Sequence, residues 1–397
     1  MAKESSSNGL EKRPKLRFPG FDGAWSNVEL GSKLIPYSEI TTENNQYPPL
    51  TSSRKGLFLQ TDYFNRQVAS EDNTGYNIVP YGYFTYRHMS DDRTFYFNIN
   101  EIVEKGIVST LYPVFTTTDG LNSHFLRAYL NYSKRFALYC VLQKQGGSRT
   151  YMYFRKLCAH NAVIPSVEEQ EKIADFIDLL DKRIKLQNEK IECLKKYKRG
   201  VVQKFFSEMD MMQWELVQLK DVVSIFDGTH QTPNYKTTGV RFISVENILN
   251  PLATQKYISE EDYRKEFKAH PEYGDVLMTR IGDIGRTCYV DFDSDMAYYV
   301  SLALFKCSSK IDGRFLAAYI STNSFQKELW ERTLHIAFPK KINTGEIGEC
   351  YIHLPNRERQ IAIASYLDVI EKKIQLAEKQ LNLMQITKAG LMQQLFI

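Results

Sequence analysis

Displaced by 190 positions, the 397-residue sequence falls onto itself. Residues 164–207 then lie without a gap on residues 354–397, and 13 of the 44 paired positions are identical. Among the identities are Pro165 with Pro355, Gln170 with Gln360, Asp178 with Asp368, Lys198 with Lys388 and Phe206 with Phe396. The same displacement carries Phe125-Leu126-x-Ala128-Tyr129 onto Phe315-Leu316-x-Ala318-Tyr319. Near the starts, Trp25-x-x-Val28-x-Leu30 recurs 189 positions later as Trp214-x-x-Val217-x-Leu219. Whatever the chain folds into, it must build it twice, in the order variable, helical, variable, helical.

The helical regions have readable grammar. Ser166 to Glu169 spells a capping box behind a proline, and its counterpart Asn356 is a good N-cap. From there apolar residues step by three and four: Ile177, Leu180, Ile184, Ile191, Leu194 and Val201 in the first copy. The second copy gives Leu367, Ile370, Ile374, Leu381, Met384 and Leu391. These are the a and d positions of a coiled coil. Gln187, Lys198 and Lys388 interrupt the seam, either to fix register or, for the lysines, to snorkel outward. The chain most economically pairs its two helices with each other, in either relative direction. The regions between read as mixed α/β. Strand-like runs start at Leu57, Tyr76, Tyr81, Thr94, Arg241, Asp275 and Cys288, and helical stretches fall around Phe125–Tyr139 and Phe315–Trp330. The expected plan is two α/β (α+β) regions at 17–163 and 214–353, joined by long helices at 164–207 and 354–397. A linker falls at 208–213, and residues 1–16 are expected to form a mobile polar tail.

Chemical motifs are conspicuous by their absence. No phosphate-binding G-x-x-x-x-G-K-[ST], dinucleotide G-x-G-x-x-G, H-E-x-x-H or G-x-S-x-G occurs. Tyr47-Pro48-Pro49-Leu50 differs at both ends from the Asn/Asp/Ser-Pro-Pro-aromatic string of adenine-N6 methyltransferases. The nuclease-like trio Asp368, Glu371 and Lys373 falls on the heptad helix, where such charges form a solvated face. The six cysteines form no C-x-x-C and lie near no His pair, so they are expected to be reduced thiols in the cytoplasm. No metal site and no catalytic residue is expected. A binding protein is favoured over a stand-alone DNA-acting enzyme or a scaffold without a DNA role.

Loops in both copies mix cations, amides and aromatics. The first region offers Arg54, Lys55, Arg87, His88, Arg93, Lys144, Gln145, Arg149 and Tyr151. The second offers His230, Gln231, Thr232, Tyr235, Lys236, Arg280, Arg286, Lys340, Lys341 and Asn343. Arg and Lys read guanine edges, and Asn and Gln read adenine edges, so these are candidate DNA contacts. Charge alone adds little. The first region has 15 Lys and Arg against 12 Asp and Glu, the second 16 against 19.

The order of these motifs resembles one family, the DNA-specificity subunits of type I restriction–modification systems. The resemblance rests on Leu16-Arg17-Phe18-Pro19-Gly20-Phe21 with Trp25, on Tyr76-x-Ile78-Val79-x-Tyr81-Gly82-Tyr83-Phe84, and on Gly106-Ile107-Val108-Ser109. Tyr112-x-Val114-Phe115, Gly274-Asp275-Val276-Leu277 and the repeated Pro-x-x-Glu-x-Gln at Pro165 and Pro355 complete it. It implies two target-recognition domains that each read half of a bipartite double-stranded DNA target, and a helical spacer formed by an antiparallel helix pair. The implied partners are two adenine-N6 methyltransferase subunits and two restriction/translocase subunits. S-adenosylmethionine and ATP with magnesium would be bound by those partners and not by this chain.

Overall fold

The computed structural model describes residues 14–63, 72–144, 148–207, 212–267 and 269–396. The chain divides into two compact units, Met1–Asn188 with Gln380–Ile397, and Glu189–Lys379. Each is built on the same frame. In the first unit, strand Ser26–Glu29 pairs antiparallel with Asn161–Ile164, and a 3-10 turn follows at Leu30–Ser32. Leu34–Tyr37 then enters a four-stranded antiparallel sheet beside Val114–Thr117, Phe84–Thr85 and Asn98–Ile99. In the second unit, Glu215–Gln218 pairs with Tyr351–Leu354, a 3-10 turn follows at Leu219–Asp221, and Val223–Asp227 enters its own four-stranded sheet. The correspondence reaches single hydrogen bonds. Leu30 N–H donates to His160 O and Leu219 N–H to Cys350 O, both at 2.9 Å.

The frames differ in what fills their middle. The first unit inserts the hairpin Leu50–Ser53/Gly56–Leu59 and the pair Asn77–Pro80/Lys105–Val108. The second inserts a three-stranded sheet of Tyr257–Ile258, Val240–Ile243 and Met296–Tyr298, with helix Glu260–Glu266. Several sequence-expected strands prove shorter. Only Phe84–Thr85 of the run from Tyr81 is strand, because Gly82 sits at φ +82° and turns the chain. Of Thr94–Asn98 only Asn98 pairs, since Arg93 at φ +68° bends the approach, while Phe95 and Phe97 are buried without belonging to a strand. The helical stretches are each broken in two, at Ser133 and at Ser321–Thr322.

Two helices of 39 residues, Val167–Phe205 and Arg357–Leu395, are each about 58 Å long at the helical rise. Each gives its first part to one unit and its last part to the other. Their direction, open in the sequence, is antiparallel. In the first unit Gln187 Nε2 donates to Gln380 Oε1 at 3.2 Å, and Asp181 meets Lys388. In the second, Lys195 lies 2.8 Å from Glu378 and Lys198 2.7 Å from Glu371. The heptad residues are the inner ones: Ile177, Ile191, Leu367, Ile370 and Ile374 are buried, and Leu180, Ile184, Leu194, Val201, Leu381, Met384 and Leu391 are half-buried. Lys388 does not snorkel. Its buried ammonium is held by Asp181 and by Tyr132 Oη at 3.0 Å. Glu371 and Asp368, the apparent nuclease carboxylates, are ion-paired with Lys198 and Arg314.

Helix starts are locked onto the sheets by a repeated device. Gln170 Nε2 donates to Gly120 O (3.3 Å) and Pro165 O (3.1 Å), and its Oε1 accepts from Asn122 N–H (2.9 Å). Gln360 does the same with Lys310 O (3.0 Å), Pro355 O (2.9 Å) and Asp312 N–H (2.8 Å). Both glutamines are 1% exposed, so water cannot replace these bonds. The capping box is only half formed. Glu169 N–H reaches Ser166 Oγ at 3.4 Å, but the Glu169 carboxylate grips Arg17 with two bonds of 2.7 Å instead of returning to the cap. Helix ends dock too. Phe396 packs on Phe125 and Tyr129 in the first unit, as Phe206 packs on Phe315 and Tyr319 in the second. All six cysteines are free, and no described helix is long and apolar enough to cross a membrane.

Two outcomes follow. Gln360→Ala strands a buried donor and two acceptors and should cost roughly 2–4 kcal/mol, read as a lower denaturation midpoint. His124 donates or accepts at 2.5 Å with Asp178 and faces Glu101 at 3.2 Å, with Arg127 beside both carboxylates. The Asp178 hydrogen bond raises the His124 pKa against the opposing pull of burial. A raised folded value means stabilisation that is full below the unfolded pKa of about 6.5 and is lost as pH rises through the folded value. Stability measured across that window should fall for the wild type and stay flatter in His124→Asn.

Candidate nucleic-acid interface

In the first unit the hairpin turn after Ser53 presents Arg54 and Lys55 at the rim of a cleft of about 660 Å³. Arg87 lies across it, with Ser52, Ser53, Thr94 and Tyr96 along the walls. The rim is electrostatically mixed. Arg54 pairs with Asp92 and lies 5.5 Å over the Tyr96 ring, and Arg149 Nε donates to Asp91 at 2.9 Å. Hydrogen bonds from Thr94 and then from Arg54 hold the Asp92 carboxyl well below the usual range. Strand Met89–Ser90 pairs with Thr150–Tyr151, which sets an aromatic ladder beside the cleft. Tyr151 stacks on Tyr153 at 5.6 Å, and His88 lies 5.1 Å from Tyr153. The structure thus gathers Arg54, Lys55 and Arg87 at the cleft and places His88, Arg149 and Tyr151 at the adjoining Met89–Ser90/Thr150–Tyr151 strand pair, with exposed Arg93 next to Asp92. Lys144 is exposed, and Gln145 lies outside the described residues.

Three loops converge in the second unit. Residues 228–236 carry exposed His230, Gln231, Thr232, Tyr235 and Lys236. Thr229 bridges to Tyr299, and Lys236 to Tyr257. His230 lies 3.6 Å from Asp227, and Lys256 sits 5.7 Å over the Tyr235 ring. The loop after Thr279 presents exposed Arg286, ion-paired with Asp283 at 2.5 Å. The third loop presents Lys340, Lys341 and Asn343, all exposed.

Arg280 departs from expectation. It is 5% exposed, donates to Ile342 O at 3.2 Å and pairs with Asp227 at 3.1 Å. Its backbone exchanges bonds with Ser301 and Ile342. It ties the three loops together from beneath and does not face solvent. It follows Val276–Thr279, a strand buried at every position, and that burial is not visible in residue type. Tyr96, which lies in the strand-like run from Thr94 and was not among the candidate contacts, also lines the first unit's cleft. Among the described residues no group of three or more His, Cys, Asp and Glu side chains is placed to hold a metal ion.

Residues 211–385 match the family described as Type I restriction modification DNA specificity domain. Over 251 residues it is 29% identical to the Type I restriction enzyme MjaVIII specificity subunit of Methanocaldococcus jannaschii. That match spans 57% of this chain and 58% of the relative, a little over half of each. The fold is that of the type I restriction–modification S subunit from M. genitalium, with a TM-score of 0.59 at 14% identity over 97% of this chain and 99% of that one. A second structure, from a study of complex assembly and conformational transition of the type I R-M system, gives 0.58 at 16% identity over 94% and 97%.

Replacing Arg280 by Met should loosen the second unit at the base of its loops. Faster amide hydrogen exchange across 276–307 and 340–343 is expected, with a cost of roughly 2–4 kcal/mol. Lys341→Ala, which removes an exposed side chain, should stay within about 0.5 kcal/mol of wild type.

Proposed function

We propose that this chain is the DNA-specificity subunit of a type I restriction–modification complex. Each unit reads one half of a bipartite, asymmetric target in double-stranded DNA, and the antiparallel helix pair sets the distance between the halves. The observation that carries this reading is one frame built twice and fitted with different loops. A repeated frame presents two reading surfaces in equivalent settings, and unlike loops give the two surfaces different preferences. Both surfaces offer the cation, amide and aromatic mixture that contacts phosphate and base edges. The family domain at 211–385 and the whole-chain likeness in fold agree with it.

In this reading the chain performs no catalysis and holds no cofactor. Two adenine-N6 methyltransferase subunits with S-adenosylmethionine modify the target, and two restriction/translocase subunits use ATP with magnesium. A target adenine must leave the base stack to be methylated. The chain's part is to hold the duplex in register while that happens.

Exchange of residues 214–353 for the equivalent region of another specificity subunit tests the proposal. Co-expressed with the methyltransferase, the hybrid should place N6-methyladenine at a motif with one half altered and the other intact. A change in both halves, or in neither, would overturn it.

A further inference from the structure

Residues 332–343 of the second unit form a braced hairpin. Leu334 N–H donates to Lys341 O at 2.8 Å and Ala337 N–H to Leu334 O at 3.3 Å. Lys341 also bridges to Ile281, and Gly282 N–H donates to Lys340 O at 2.8 Å. Buried Arg280 supports this base through Ile342 O. On the outer side, His335 Nε2 lies 2.9 Å from Trp330 O, with the two rings 4.6 Å apart. Beyond the base, Ile336 and Phe338 are fully exposed.

Two large apolar side chains held in water by a tied backbone are unfavourable in isolation, and such a tip marks a contact with something else. The neighbouring charges indicate what. Lys340 and Lys341 are exposed, and neither is in an ion pair among the described residues. An apolar tip flanked by free cations complements a polyanion with an apolar interior. Stacked base pairs behind two rows of phosphate have that character, and apolar side chains enter such stacks as wedges.

We infer that Ile336 and Phe338 form a wedge that enters the duplex at one base step of the half-site bound by the second unit, while Lys340 and Lys341 hold flanking phosphates. This rests on the DNA-reading function proposed above. The wedge belongs to one half-site only. At the same place in the first copy, between helix Lys134–Leu142 and Thr150, the sequence Lys144-Gln145-Gly146-Gly147-Ser148-Arg149 has no large apolar residue. The step entered should be pyrimidine–purine, where unstacking costs least.

The test uses the full chain assembled with its methyltransferase subunits and duplexes carrying 2-aminopurine at successive positions of the target. Wild-type binding should raise fluorescence at one step of the second half-site. Ile336→Ala/Phe338→Ala should abolish that rise and weaken binding about tenfold, as loss of a base–aromatic stack does. Its salt slope should be unchanged, whereas Lys340→Ala/Lys341→Ala should lower the slope by about two phosphates' worth. Phe338→Leu should keep most of the signal, and an abasic site at the entered step should restore binding to the double alanine variant. Duplex binding without any fluorescence rise, or a rise that survives the double substitution, would overturn the wedge and leave the DNA-reading proposal standing. Loss of methyltransferase co-purification on the double substitution would overturn it too, by assigning the tip to a protein contact. Failure of the wild-type assembly to prefer any duplex sequence would overturn both.

Discussion

Gln170 and Gln360 spend both ends of their amides on backbone groups that no water can reach, and the rest of each unit is arranged around that expenditure. The amide joins three segments in each case: the turn before a domain helix, the strand end at proline, and the first turn of a 39-residue helix. Because the bonds are directional, the helix can leave the sheet at one angle only. Because they are buried, a partial set is worse than none. The contacts about two turns further on, His124 with Asp178 and Arg314 with Asp368, use a different basic residue at the same repeat position. The amide is the constant part of the joint, and the ion pair is its variable part.

That division runs through the whole chain. The strand pairs at Ser26–Glu29 and Glu215–Gln218, the 3-10 turns behind them and the aromatic plugs Phe396 and Phe206 are the same in both units. The inserted strands and loops are not. Stability is thereby concentrated in parts that face the helices and the core, and the loops that differ between the units are braced from beneath, as Arg280 braces three of them. A loop can change its exposed residues without disturbing what holds it. Carboxylates such as Asp91, Asp92 and Asp227 among the cations also make sense in this light. They lie against guanidinium and imidazole groups and offset part of the positive charge that the loops carry.

Much of this was legible in the sequence. The 190-residue displacement exposed the duplication, and heptad spacing found the seam, since Ile177, Ile191, Leu367, Ile370 and Ile374 are all buried. The heptads alone did not give helix direction, because an a/d pattern suits parallel and antiparallel pairs alike; the family resemblance implied the antiparallel pair that contacts such as Gln187–Gln380 show. Strand lengths were overestimated where positive-φ residues, Gly82 and Arg93, bend aromatic runs away from their sheet. Of the candidate contacts, Arg54, Lys55 and Arg87 do converge on one cleft. Arg280 does not belong with them, and residue type alone could not reveal that its strand points it inward.

The central claim is that two unlike readers are built on one repeated frame and act on one DNA target. Its most direct test is methylome sequencing of a host that carries this chain with its methyltransferase subunit and no other adenine modification system. The account predicts N6-methyladenine at a single motif made of two unlike halves separated by a gap of fixed length and free sequence. A continuous motif, a palindrome of identical halves, or the absence of any modified motif would contradict it.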